Sequence, residues 1–305
     1  MRFALHRLVL SVATLFIIAA STFFLMHSIP GGPFSRERAL PPEIEANLSR
    51  KYNLDEPVAV QFARYLGSVM RGDLGPSFQH EGRTTNSIIR EGFPKSGVLG
   101  ISGFLIAIAV GLPMGILSAL RRRKLTDRAL MLLSVLGVSV PSFILASLLQ
   151  YFFSYKLQWA PAAGWGDSVW QVILPALALA GFPIAFISRL VRTSMLNVLE
   201  ADWLRTARAK GLGRARVVLT HALRNAILPV VTYSGPLLAS LLTGSFVVEN
   251  IFAIPGLGSA FVTSIQDRDY TVIMGVTLFY SALLIGFNVV VDALYALLDP
   301  RIGLG

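Results

Sequence analysis

The sequence predicts an all-α, polytopic membrane protein, and three observations support this. Of its 305 residues, 54% are hydrophobic and only 14% are charged, against roughly 25% charged residues in soluble domains. Six apolar stretches have about the 20 residues that a helix needs to cross the hydrocarbon core of a bilayer. Lys and Arg are concentrated in alternate loops between these stretches, a pattern typical of multi-pass membrane proteins.

Six transmembrane helices are predicted, with both termini in the cytoplasm. The spans cover residues 8–26, 96–120, 129–155, 169–190, 226–248 and 272–298. The first resembles a signal peptide, but its apolar run continues to Met26, longer than a signal-peptide core of about 7–15 residues, so we expect it to be retained. Basic clusters follow the second and fourth spans, whereas the loops after the third and fifth carry only Lys156 and Arg268. The basic loops are therefore expected on the cytoplasmic side.

The long loop over residues 30–95 is predicted to form a small helical extracytoplasmic domain. Pro41 and Pro42 precede EIEANLSRKY, and proline favours the first turn of a helix. Further along the loop, helical spacing places four apolar side chains on one face, namely Val58, Phe62, Tyr65 and Val69. The predicted organisation is a first transmembrane helix in 1–29, this domain, and a core transmembrane domain in 96–305 with a cytoplasmic loop over 196–228.

Several kinds of chemistry are excluded or disfavoured. The chain has no cysteine, which excludes disulfides and a cysteine nucleophile. It has no G-x-x-x-x-G-K-[ST] motif, so any ATP must be hydrolysed by a separate subunit. Four histidines lie at span ends or in loops without a metal-ligand partner at useful spacing, namely His6, His27, His80 and His221. We therefore expect no catalytic residue, cofactor or metal, and the net charge of +10 is explained by cytoplasmic loops rather than by nucleic-acid binding.

Ionisable residues are rare inside the predicted spans. Asp292 lies in the inner half of the sixth span, and we expect it to form a structural ion pair with Arg189 or Arg192 at the inner end of the fourth. The absence of histidine from the span interiors disfavours an intramembrane hydrolase. The lack of ionisable residues at mid-membrane and of visible inverted repeats disfavours a secondary transporter.

The fifth span carries small and polar residues that suit two roles. Its Gly235-Pro236 step is expected to kink the helix. Ser240 and Gly244 form a small-xxx-small pair followed by Ser245, which suits either close helix packing or the lining of a polar passage. Glu249 follows at the outer end of the span. We expect it to face water, the alternative being a place at the outer mouth of a pathway.

The segment from Glu200 to Pro229 is a basic interruption between two apolar runs. Eight basic residues lie in or beside it: Arg189, Arg192, Arg205, Arg208, Lys210, Arg214, Arg216 and Arg224. A helix is predicted over 197–210, ended by Gly211 in a left-handed conformation. Ala207, Ala209 and Gly211 form a narrow ridge of small residues that suits docking into another protein's cleft. Anchoring to anionic membrane lipid is the alternative.

TARAKG followed by HALRNAILPV resembles the cytoplasmic-loop signature of binding-protein-dependent ABC transporter permeases, in its peptide-subfamily variant. Against the general pattern, E-A-A, three residues, Gly, nine residues, I-x-L-P, the chain keeps Ala207, Gly211 and Leu223. It departs from it at Arg205, Thr206, His221 and Arg224. The segments PGGPFSRERALPPEI, KYNLDEPV, RGDLGPSF, TGSFVVENIFAIPGLG, RDY and VDALYALLDPRI extend the resemblance to oligopeptide permease subunits over nearly the whole chain.

The resemblance implies a type I ABC importer permease fold and an inner-membrane location. It also implies the partners: a second homologous permease subunit, two cytoplasmic ABC ATPase subunits, an extracytoplasmic peptide-binding protein, a peptide substrate and membrane lipid. The residues implied to couple to the ATPases are Arg205, Thr206, Ala207, Arg208, Ala209, Lys210 and Gly211. The expected cargo is oligopeptides, with dipeptides, glutathione or nickel chelates as alternatives, and the chain itself is expected to perform no chemistry.

Overall fold

The computed structural model describes residues 2–34, 41–204, 211, 213 and 216–298, with side chains described for all of these except 2–5, 42, 45 and 292–298. In chain order the helices are α1 (Arg2–Ser28), α2 (Pro42–Lys51), α3 (Val58–Val69), α4 (Thr85–Leu120), α5 (Leu125–Ser139), α6 (Ser142–Leu149), the π-helix π1 (Gln150–Lys156), α7 (Trp170–Leu199), the π-helix π2 (Val217–Ala222), α8 (Leu223–Ala226), α9 (Leu228–Leu242), α10 (Phe246–Ile251), α11 (Leu257–Gln266) and α12 (Tyr270–Leu298). The chain is divided into two compact units. Unit 1 contains the chain up to Pro94 and Gly256–Gly286, and unit 2 contains Lys95–Pro255 and Phe287–Gly303.

Four helices in the described residues are long and apolar enough to cross a membrane: α1, α4, α7 and α12. Two bent helix pairs raise this number to six if each pair is one span, as predicted. The third span is nevertheless not the single helix expected over 129–155, because α5 and the helix from Ser142 to Lys156 meet at 103°. Val140 is extended, with φ −87° and ψ 116°, because the proline after it disfavours helical backbone at that position.

Unit 1 contains a largely aromatic core to which α1, α3 and the first part of α12 contribute. The proline-started helix is present as α2, which has Pro42 in its first turn. On α3, Phe62, Tyr65 and Val69 join the buried cluster around Phe23 of α1, whereas Val58 is exposed. The predicted apolar face is therefore buried over most of its length. The division into 1–29, 30–95 and 96–305 stays a prediction.

A buried carboxylate fixes the start of α12 within unit 1. Asp269 is 1% exposed, and its Oδ1 accepts hydrogen bonds from the Phe78 backbone N–H (3.1 Å) and the Thr271 hydroxyl (3.0 Å). The Ser77 hydroxyl donates to Oδ2. Asp269 thus satisfies donors of the 77–79 loop and of the first turn of α12, where orphan N–H groups need acceptors.

Unit 2 is built around α7. Buried side chains occur along it from Gln171 to Met195, and Leu174, Ile187, Val191 and Met195 are at most 1% exposed. A Cβ added at Gly115 of α4 would lie 2.5 Å from the Ser188 carbonyl oxygen and 2.6 Å from the Val191 Cβ. Helices α4 and α7 therefore approach each other at a distance that only glycine permits, and α7 is held firmly over the half that leads to the basic segment.

Candidate functional site

The predicted coupling segment lies directly after α7. The structure places Asn197–Leu199 within α7, which ends there, so the helix predicted over 197–210 does not begin at Asn197. After a turn at Glu200 and a non-helical Ala201, the backbone is helical again over 202–204. Residues 205–210 lie outside the described residues. Arg205, Thr206, Ala207, Arg208, Ala209 and Lys210 therefore stay predictions as coupling residues.

Gly211 is exposed and has the left-handed backbone that the sequence predicts, with φ +83°. No atom lies within 4 Å of the position where a Cβ would stand. A side chain at residue 211 would thus be disfavoured by the backbone and not by crowding. After it, π2 and α8 lead into α9.

The bend in the fifth span lies at Ile227, where α8 and α9 meet at 50°. Pro236 lies inside α9, which runs from Leu228 to Leu242, and the kink predicted at Gly235-Pro236 stays a prediction. Pro229 stands in the first turn of α9, where its missing N–H breaks no intrahelical hydrogen bond. The chain therefore changes direction at the start of α9.

Asp127, in the first turn of α5, forms a buried ion pair with Arg192 of α7. The carboxylate side chain is 6% exposed and the guanidinium 26%. Arg192 Nε donates to Oδ1 at 2.8 Å and Nη2 donates to Oδ2 at 3.0 Å. The Ser118 hydroxyl donates to Oδ1 at 2.5 Å, and the Arg123 backbone N–H donates to Oδ2 at 2.9 Å. Each carboxylate oxygen thus has two donors, so the carboxylate is fully satisfied.

This pair identifies the acid that binds Arg192. The sequence assigned Asp292 to Arg189 or Arg192, but the Asp292 side chain lies outside the described side chains, and the Arg192 fork is occupied by Asp127. Sequence reasoning missed Asp127 although a signal was present: an acid in the first turn of a helix that follows a run of four basic residues has both a helix N-terminus and cations to stabilise it.

A second ion pair links the same two regions at the surface. Arg122, in the turn between α4 and α5, pairs with Glu200 at the end of α7, and their side chains are 46% and 65% exposed. Exposed pairs of this kind contribute little, because water and salt screen them. The buried pair is therefore the stronger connection between the turn and α7.

The small and polar residues of the fifth span do not form one helical face. Helix α9 ends at Leu242, so Gly244 lies beyond it, and Gly244 has φ +77°. Ser240 is exposed and its hydroxyl donates to the Leu237 carbonyl of its own helix at 2.7 Å. Ser245 caps α10 by accepting from the Val248 N–H. Ser240 and Gly244 therefore do not lie on one helix, and their role in packing or in lining a pathway stays a prediction.

Glu249 is completely buried, with 0% exposure, so the water-facing helix end that the sequence favoured is wrong. The Ser96 hydroxyl donates to Glu249 Oε1 at 2.7 Å. The backbone at Gly244 packs directly on this carboxyl group, since a Cβ there would lie 2.3 Å from Oε1. Ser96, Gly244 and Glu249 form a buried cluster in unit 2, called the Glu249 cluster below.

Comparison with known proteins identifies the class of molecule that carries these features. The family model for the binding-protein-dependent transport system inner membrane component matches residues 111–304, and the model for the N-terminal region of such components matches residues 1–95. The chain belongs to this family. Its members are membrane components of transporters and not enzymes, and the family predicted from the motifs is confirmed.

Relatives of this inner membrane component align over almost their whole length. It is 48% identical to the dipeptide transport system permease protein DppB of Bacillus subtilis over 303 residues, 99% of this chain and 98% of that protein. It is 43% identical to the oligopeptide transport system permease protein OppB of Haemophilus influenzae, with 99% of each chain covered. The OppB of Escherichia coli K12 is 42% identical, again with 99% of each chain covered.

The fold of the permease is similar to that of a solved chain. A chain of the MetNI methionine ABC transporter, in an inward-facing conformation, superimposes with a TM-score of 0.58 over 70% of this chain and 96% of that chain, at 18% identity. The predicted all-α importer-permease fold is thereby confirmed. The exact number of six spans and the side on which the termini lie stay predictions.

Proposed function

We propose that this chain is the permease subunit of an ATP-driven, binding-protein-dependent importer of oligopeptides. The observation that carries the proposal is the alignment over 99% of the chain, at 42–43% identity, with oligopeptide permeases. Over that length the alignment includes the described Glu249 cluster and the whole basic segment. The chain forms half of the translocation pathway, and a second homologous permease forms the other half.

Dipeptides are the second candidate cargo. The 48% identity to a dipeptide permease favours them, and the two kinds of relative differ by only a few per cent in identity to this chain. Cargo choice in such an importer belongs largely to the extracytoplasmic peptide-binding protein that delivers the substrate. Glutathione and nickel chelates stay as further alternatives.

Coupling to two cytoplasmic ATPase subunits is proposed to pass through residues 205–211. The support is that α7, which has buried side chains from Gln171 to Met195, precedes this segment, and that Gly211 has left-handed backbone. ATPase subunits in the cytoplasm require residues 205–211 to lie on the cytoplasmic side of the membrane. Both termini and the basic turn Arg121–Lys124 then also face the cytoplasm, and residues 30–95 lie outside the bacterial inner membrane in which the chain is embedded. Ser240, Gly244, Ser245 and Glu249 stay candidates for packing or for the pathway.

Peptide uptake tests the cargo. Cells lacking the chain are supplied with labelled peptides of two to five residues, with and without a plasmid that restores it. We expect uptake of tri- to pentapeptides to depend on the plasmid. Dependence confined to dipeptides would move the proposal to its second cargo, and equal uptake of all peptides without the plasmid would overturn both.

Gly211→Val tests the coupling role. Left-handed backbone costs a residue with a Cβ about 1–2 kcal/mol, and a β-branched side chain is a still poorer fit. We expect peptide uptake to fall about tenfold or more, since ~1.4 kcal/mol is a factor of ten, together with loss of ATPase co-purification. Gly213→Val is the control, because Gly213 also has open space around it and no positive φ. Normal uptake by well-expressed Gly211→Val protein would contradict the coupling role.

A further inference from the structure

We propose that Asp127 is a positioning residue that joins the turn between α4 and α5 to α7, so that a displacement of residues 205–211 moves both together. The inference rests on the proposed function, in which ATPases act on that segment. It assigns a role in coupling to a side chain that the sequence patterns did not single out.

The geometry of Asp127 ties three separate pieces of unit 2 to one carboxylate. Ser118 donates from the last turn of α4, the Arg123 N–H donates from the turn, and Arg192 donates through two nitrogens from α7. A two-pronged guanidinium contact fixes direction as well as distance, because both prongs must stay aligned with the two carboxylate oxygens. The turn therefore cannot rotate on α7 without breaking several hydrogen bonds at once.

The turn itself needs this support. Arg123 has φ +67°, a left-handed backbone that residues with a Cβ adopt only when neighbouring contacts hold them there. Its N–H is one of the groups that Asp127 accepts. On the other side, the close approach of Gly115 to Ser188 and Val191 holds α4 against α7 about one turn before Arg192. Charge pairing and close packing thus act on the same stretch of α7.

Arg192 stands two turns before the end of α7, and the proposed ATPase-binding segment follows that end. A displacement that reaches the end of α7 is therefore passed to Arg192 through two turns of uninterrupted helix. The adjacent Arg122–Glu200 pair is half-exposed and screened by water. The Arg122–Glu200 pair is a matched control, because it joins the same turn to the end of α7 through side chains that are not buried.

A purely structural role is the alternative, and it makes a different prediction. A buried ion pair can be replaced by apolar residues of similar size with little loss of stability, because the cost of desolvating both charges disappears with them. If the pair serves stability alone, apolar replacement preserves transport. If it transmits motion in a fixed direction, apolar replacement preserves assembly but weakens coupling.

The test uses the whole complex, purified with its permease and ATPase partners, reconstituted in proteoliposomes and supplied with the peptide-binding protein. Peptide imported per ATP hydrolysed is measured for wild type, Asp127→Leu with Arg192→Met, Arg192→Lys and the control Glu200→Gln. Arg192→Lys keeps the charge but loses the fork. We expect the first two variants to assemble and hydrolyse ATP, with import per ATP reduced about fivefold or more, and the control to stay within about twofold.

The outcomes are decisive in each direction. Import per ATP within about twofold of wild type in an assembled double variant and in Arg192→Lys would overturn the inference. Failure of both to assemble would assign the pair to folding and would also overturn it. An absence of peptide import by the wild-type complex would instead contradict the proposed function, so the two failures are distinguishable.

Discussion

Gly244→Ala is the substitution that most directly tests the buried Glu249 cluster. The new Cβ would lie 2.3 Å from Glu249 Oε1 and 3.2 Å from Ser96 Oγ. Because Glu249 is completely buried, its carboxyl group can move aside only by leaving the hydrogen bond with Ser96. The backbone adds a second penalty, since φ at residue 244 is +77°.

The magnitude follows from these two terms. Left-handed backbone costs alanine about 1–2 kcal/mol, and leaving a buried polar group without its partner costs about 1–3 kcal/mol. Gly244→Ala should therefore lower the free energy of unfolding by about 2–5 kcal/mol. At ~2 °C per kcal/mol for a chain of this size, the apparent Tm should fall by about 4–10 °C.

Gly72→Ala is the matched control for the backbone term. Gly72 has φ +78°, but nothing lies within 4 Å of its Cβ position. We expect its Tm to fall by only about 2–4 °C. The assay is thermal unfolding of the purified protein in detergent, followed by the loss of its monodisperse chromatographic peak.

A double-mutant cycle with Glu249→Ala isolates the contact. Once the carboxylate is removed, Gly244→Ala keeps its backbone cost but no longer clashes with Oε1, so the two changes should couple by about 1–3 kcal/mol. Equal Tm shifts for Gly244→Ala and Gly72→Ala, or strict additivity with Glu249→Ala, would refute the packing of Glu249 against Gly244.

Two further predictions use the same assay. Gly115→Ala should destabilise the protein by about 1–3 kcal/mol, because the new Cβ forces α4 away from Ser188 and Val191. Gly286→Ala, with open space around its Cβ position, should stabilise the protein by about 0.5–1 kcal/mol. Tm shifts of the same sign for the two variants would contradict the close approach of α4 and α7. Tyr65→Phe should raise the Tm, because the buried Tyr65 hydroxyl has no hydrogen-bond partner in the described part of the chain and removing it ends the cost of burying an unpaired polar group. A clear fall in Tm would show that the hydroxyl is bonded.

Residue polarity alone did not predict the environment of side chains whose neighbours come from distant parts of the chain. Glu249 was expected to face water, yet it is buried beside Ser96, which lies 153 positions away in sequence. Asp292 of the sixth span was expected to pair with Arg189 or Arg192, yet the Arg192 guanidinium binds Asp127. In each case a polar side chain has to be satisfied, but which partner satisfies it depends on helix packing that no local pattern encodes.

Apolar length, basic loops and motif order determined the membrane class, the family, the long helices and the left-handed turn at Gly211, because each depends on composition or on a few adjacent residues. Only the tertiary structure showed the 103° angle between the two halves of the third span, the burial of Glu249 and the pairing of Asp127 with Arg192. These depend on how closely helices approach one another. That distance is set by contacts such as Gly115 on Ser188 and Val191, which lie far apart in the chain and meet only in the fold.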